Sequence, residues 1–205
     1  MSQNLTILKP RLHAIVEDSD TGSRDILLTG SSEGLPAWVS LIDFPDEIQS
    51  RLQDAWAGNV VELHLDPREE GMGRVINGRI VDNTTLSLTP IDESPEAVQQ
   101  LWKTSNDDEQ ITHLVADDDG SPLYEINLIG GSDEEVDQLW DDYLLGEETF
   151  EPWFDELTEL DTPAQHIVAA RCQRTPYIIV FGVPESTSLD VVHEIRSMVG
   201  EMEFP

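Results

Sequence analysis

At 205 residues, with 42 acidic side chains against 11 basic ones, the chain carries a formal net charge of −31 and a sequence pI near 4.1. That balance argues against the basic footprint on which nucleic-acid binding usually rests, and the single cysteine, Cys172, excludes an internal disulfide or a cysteine-based metal cluster. No stretch has the basic-then-apolar order of a signal peptide and no apolar run nears the ~20 residues that span a bilayer, so a cytoplasmic protein without a membrane segment is expected.

Residues 26–29 and 37–42 read as strands around the turn-rich 30–34. A helix follows from about 45 to 57, with Ile48, Leu52, Ala55 and Trp56 on one face and Gly58 at its end. Residues 60–65 alternate with period two and form another strand. Strands over 74–81 and 85–91 are joined at Asp82-Asn83, residue types that suit a tight turn. A second helix is predicted from Ser94 as N-cap, with Pro95 in its first turn, to about Thr104.

The order then repeats. Residues 111–116 and 123–129 flank Asp119-Gly120, a hairpin signal. Ser132 and Glu135 spell a capping box ahead of the stripe Val136, Leu139, Trp140, Tyr143 and Leu144. Residues 166–172 and 177–183 form a last hairpin around Thr175-Pro176. Ser186 or Ser188 caps a fourth helix carrying Val191, Val192, Ile195 and Met198. The second and third helices share S-x-E-x-V-x-Q-L-W at an offset of 38 residues, which duplication and convergence explain equally well. The expected class is α+β, with antiparallel hairpins packed against four helices in a recurring strand-strand-helix pattern. A strand-rich N-terminal part, 1–92, should form a curled sheet or open barrel. The C-terminal part, 93–205, should be a layered sheet with helices on one face.

Motifs for catalysis are sparse. Gly30-Ser31-Ser32-Glu33-Gly34 matches G-x-S-x-G, but a nucleophile elbow needs a helix after it and 35–39 reads as a strand. Gly71-Met72-Gly73 lacks the lysine and hydroxyl of a P-loop. His13, His64, His113, His166 and His193 have no zinc-ligand spacing. Asp117-Asp118-Asp119-Gly120 lacks the alternation and distal glutamate of an EF-hand. No cofactor or metal is expected. Cys172 closes an apolar run and reads as a buried thiol. Arg68, Arg74 and Arg79 are close in sequence but interrupted by Glu69 and Glu70, which disfavours nucleic acid as the ligand.

The acids number 8, 9, 15 and 10 in residues 1–50, 51–100, 101–150 and 151–205, so no single tail carries them. With nine arginines and only Lys9 and Lys103 as lysines, the whole chain resembles in composition the soluble proteins of salt-in halophiles such as haloarchaea. The resemblance is to no particular family and transfers no active site. It implies a salt-adapted protein in a medium where the Debye length is about 3 Å, so that binding rests on apolar burial and short-range contact.

Residues 133–161 hold 13 acids together with Trp140, Tyr143, Phe150, Trp153 and Phe154. Aromatic anchors carry much of the energy of a small interface. Phe150, Trp153 and Phe154 are therefore the candidate partner-binding residues, with Glu148, Glu151 and Asp155 as polar rim. The bland alternative is that these rings cover a sheet edge of their own domain. The expected function is a protein-binding or regulatory module rather than an enzyme, with a protein partner or a second copy of the chain. Two alternatives stand beside it. One is a small hydrolase-type enzyme assembled in three dimensions from His64, Asp66 and Ser32. The other is an acidic inhibitor or nucleic-acid mimic.

Overall fold

The computed structural model describes residues 6–17, 24–30, 35–66, 74–105 and 110–200. The chain divides into two units, Met1–Thr85 with Leu145–Thr149, and Leu86–Leu144 with Phe150–Pro205. The class is α+β, and the described residues hold two sheets and five α-helices. None of these helices is long and apolar enough to cross a membrane.

The first unit is a sheet of β1 (Thr6–Leu8), β2 (Arg11–Glu17), β3 (Arg24–Thr29), β4 (Ala37–Ser40), β5 (Val60–Asp66) and β6 (Arg74–Asp82). β5 pairs with β6 along its length, while β1 pairs with residues 63–65 of β5 and β2 with Val60. β1 and β2 therefore share one edge of β5, interrupted at Pro10, which has no N–H to give a ladder. β3 and β4 continue outward from β2. Helix α1 (Asp46–Leu52) covers one face, burying Ile48 and Leu52 among Leu12, Ile26, Leu28, Val61, Leu63 and Leu65. On the other face, Leu145–Thr149 belong to this unit. Gly146 has φ of 71°, and a β-carbon there would lie 2.7 Å from Thr29 Cγ2 and 3.2 Å from Leu27 Cδ2. Only glycine combines that backbone conformation with so close an approach.

The second unit is a five-stranded sheet in the order β7 (Thr85–Ile91), β10 (Ala164–Cys172), β11 (Tyr177–Pro184), β9 (Pro122–Gly130), β8 (Gln110–Ala116). Helices lie on both faces, not on one as expected from sequence. Tyr177, Ile179, Phe181 and Val183 of β11 pack with Val98, Leu101 and Trp102 of α2 (Glu96–Thr104) and Val192 and Ile195 of α5 (Leu189–Met198). The pleat turns Arg171 of β10 the other way, where its Nη2 donates to Asp137 of α3 (Asp133–Leu145) at 2.7 Å. The intervening β11 position, Gly182, lies against Leu157, beyond α4 (Glu151–Asp155). Burial on both faces explains why residues 177–183 read as an unbroken apolar run.

The two helices with matching sequence start differently. At α3, Ser132 Oγ and N both donate to Glu135 Oε2, at 2.7 and 2.9 Å, and Glu135 N donates back to Ser132 Oγ at 3.4 Å. These bonds hold the Glu135 carboxyl below its usual pKa. At α2 the cap residue is Pro95. Ser94, expected as the cap, instead hydrogen-bonds the Tyr177 hydroxyl at 3.0 Å.

Two buried polar side chains of this unit, Glu125 and Asn127, satisfy one another. Glu125 and Asn127 of β9 are buried; Asn127 Nδ2 donates to Glu125 Oε1, and Glu159 N donates to Glu125 Oε2 at 2.7 Å. Thr112 Oγ1 donates to Asn127 Oδ1 at 2.8 Å. Cys172 is buried, its thiol 3.5 Å from the Asp92 carbonyl oxygen, as an inert interior group.

Candidate binding surface

The strict alternation of β5 puts Val61, Leu63 and Leu65 under α1 and leaves Glu62, His64 and Asp66 on the opposite, outer face of the first sheet. Pairing extends that face sideways, because residues directly opposite one another point the same way. Ile7 of β1 sits opposite His64. On β6, Arg74 pairs with Asp66, Asn77 with His64 and Arg79 with Glu62. Arg74 and Arg79 are five positions apart, a spacing that regular pleating would place on opposite faces. The register shifts between His64 and Leu65, where β6 carries an extra residue, Ile76. This bulge brings both arginines to the outer face.

Glu62 organises the group. Arg79 donates to its Oε1 from Nε at 3.1 Å and Nη2 at 2.9 Å. His64 Nε2 lies 3.2 Å from the same oxygen, and Lys9 Nζ lies 3.7 Å from Oε2. The hydrogen bond from His64 and then those from Arg79 hold the Glu62 carboxyl below the ordinary carboxylate range, with partial desolvation opposing them. Glu62 is only 13% exposed, whereas the Lys9 and Arg79 side chains are 63% and 64% exposed. Nearby, Arg51 of α1 donates to Asn77 Oδ1 at 2.9 Å and to Glu47 Oε1 at 2.5 Å. The carboxylates thus position the cations while the cationic heads stay in solvent.

Among the described residues six lysines and arginines are exposed: Lys9, Arg51, Arg74, Arg79, Lys103 and Arg174. Four of the six occupy this one corner of the first unit. Ile7 and Ile76 are exposed beside them. Hydrogen-bonding cations next to apolar side chains form a surface suited to contact-range recognition. Strand period shows where Glu62, His64 and Asp66 face. Lys9 and Arg51, remote in sequence, reach the group only through the β1–β5 pairing and the seating of α1.

The residues singled out from sequence lie elsewhere. Phe150 and Phe154 are 2% and 4% exposed, core side chains of the second unit and not a display surface. Phe150 stacks on Tyr143 with ring centroids 4.3 Å apart, and Trp153, half-buried, leans on Phe150 at 5.6 Å. An apolar contact worth making inside the unit has taken the rings that were expected to anchor a partner. Of the proposed rim, Glu148 and Asp155 are exposed and Glu151 is half-buried. Ser32 and residues 31–34 lie outside the described residues, as do Gly71, Met72 and Gly73. β3 and β4, on either side of residues 31–34, pair antiparallel, whereas a nucleophile elbow needs a helix after it. Asp117 Oδ1 accepts from the backbone N–H groups of Asp119 and Ser121, a self-satisfied turn. Among the described residues no three His, Cys, Asp or Glu side chains are grouped to hold a metal. Two shallow hollows line the starts of α2 and α3.

No protein-family model, curated protein or solved structure matches this chain. Its function has to be read from its own residues.

Proposed function

We propose that this is a protein-binding or regulatory module of a salt-adapted cytoplasm, and that it binds through the cation-bearing corner made by β1, β5, β6 and α1. The observation that carries the reading is the gathering of four of six exposed cations in a chain of net charge −31. Charge scattered only for solubility would not collect there. In molar salt such a surface cannot steer a distant partner, but guanidinium forks still pair with carboxylates at contact distance. Ile7 and Ile76 add apolar burial, which salt does not screen. A partner with acidic and apolar side chains fits this surface.

The test is a comparison of two baits in a molar potassium chloride lysate. A partner held by the native chain should be lost from the Arg74→Glu/Arg79→Glu variant and retained by Trp153→Ser. Equal capture by the native chain and the double variant overturns the assignment of the surface.

A further inference from the structure

Resting on that reading, we infer that the free edge of β6 accepts an extended acidic segment of a partner protein as an added antiparallel or parallel strand. Among the described residues β6 is nine residues long and pairs only with β5, so the backbone N–H and C=O groups that point away from β5 have no strand partner, although Gly78 N bonds the Asn77 side chain. Such an edge is a template for a further strand. The other outer strands suit this less. β4 has four residues. β8 is free of charge from Gln110 to Ala116, but acidic triplets at 107–109 and 117–119 bracket it and repel a strand from another acidic protein.

The bulge at Ile76 is what makes β6 selective. It lines up Arg74, Asn77 and Arg79 on one face, so a neighbouring strand would meet cationic, amide and cationic side chains in succession. Arg79 uses Nε and Nη2 on Glu62 and leaves Nη1 for a ligand carboxylate. Asn77 accepts bonds at Oδ1 from Arg51 and from Gly78 N, leaving its Nδ2 to donate. Side chains on one face of a strand recur at every second residue. The complementary sequence therefore carries Glu or Asp at alternate positions, with apolar or β-branched residues between them. The backbone supplies the affinity and the arginines the choice of charge.

The probe is a fluorescein-labelled peptide alternating glutamate with valine, titrated in molar potassium chloride and followed by anisotropy. Two relatives accompany it, one with lysine for glutamate and one N-methylated at every amide. The acidic peptide should bind saturably; the lysine peptide and the N-methylated peptide should not. Arg74→Glu/Arg79→Glu should weaken binding roughly tenfold or more, since like charges then face each other. Arg74→Glu alone, which leaves the Arg79–Glu62 pair intact, should weaken binding in the same direction if the first variant fails to fold. Undiminished binding by the N-methylated peptide overturns strand addition and leaves the cationic corner as the binding surface. In that case the edge charges and bulge only keep β6 from aggregating. Equal binding by native and charge-reversed chains, or no binding by the acidic peptide, overturns both. Self-association of the native chain that the peptide competes away makes the occupant a second copy and overturns the partner assigned here.

Discussion

Trp102 lies against Gly130 so closely that a β-carbon at that position would stand 2.2 Å from Cη2 of the indole and 2.9 Å from Cζ3. The same ring meets Tyr177 with centroids 4.8 Å apart. Gly130→Ala must therefore push the indole off the sheet. The expected cost is about 1–3 kcal/mol, the usual penalty for overpacking. Denaturant titration reads it, and a neutral result would show that α2 is free to shift.

Trp140 is a different anchor despite the shared sequence. It is buried on α3, the helix tied to the Arg171 face, whereas Trp102 packs on the face of Tyr177 and Phe181. Trp140→Ala should cost about 3–5 kcal/mol. Its effect should add to that of Gly130→Ala within about 0.5 kcal/mol, because Trp140 belongs to the helix on one face of the sheet and Gly130 meets Trp102 on the other. A large coupling energy in the double mutant would contradict the two-faced arrangement.

Phe154→Ser should destabilise the second unit by about 3–5 kcal/mol, as expected for emptying an aromatic site in a core. Trp153→Ser, at a half-buried position, should cost clearly less. Thermal melts of the two single variants distinguish them. Equal and small losses would return these rings to the surface role expected from sequence.

His166 sets a pH dependence whose sign is fixed. Burial, reinforced by the positive charge of Arg196, lowers its pKa from 6.5 to about 4. Between those values the unfolded chain binds more protons than the folded one, so unfolding free energy rises with pH. The contribution is fully present above about 6.5 and is lost as pH falls towards about 4. Denaturation midpoints across that window, at constant molar salt, should fall on acidification, and His166→Gln should flatten the slope. An unchanged slope in the variant would assign the dependence to other groups.

Salt itself should be required for folding. With a net charge of −31, dilute buffer leaves self-repulsion unscreened, and molar potassium chloride removes most of it. Circular dichroism along a salt series should show structure lost towards zero salt. Undiminished stability in dilute buffer would contradict salt adaptation and favour the acidic-mimic alternative.

Local signals made much of the fold legible. The period of two in β5, the capping box at Ser132 and Glu135, and the turn at Asp117–Gly120 each depend on neighbours within a few residues. What escaped needed distant ones. Ser94 looks like Ser132, but the hydroxyl of Tyr177 competes for it and leaves the cap to Pro95. Both-face burial was written in the apolar runs 167–170 of β10 and 177–183 of β11, a pattern that periodicity alone does not separate from a single buried face. The cationic corner was least visible. Counting from Arg74 to Arg79 puts them on opposite faces, and only the bulge at Ile76 reverses that count.

The placement of Leu145–Thr149 in the first unit has a consequence for synthesis. That unit's main stretch ends at Thr85, yet its last piece is translated about sixty residues later. At roughly 5–20 residues per second the delay is about 3–12 s. During that interval Leu27 and Thr29 await the backbone of Gly146, while the ribosome is already making β8, β9 and α3. The first unit to emerge thus cannot be finished until α3 of the second has been made.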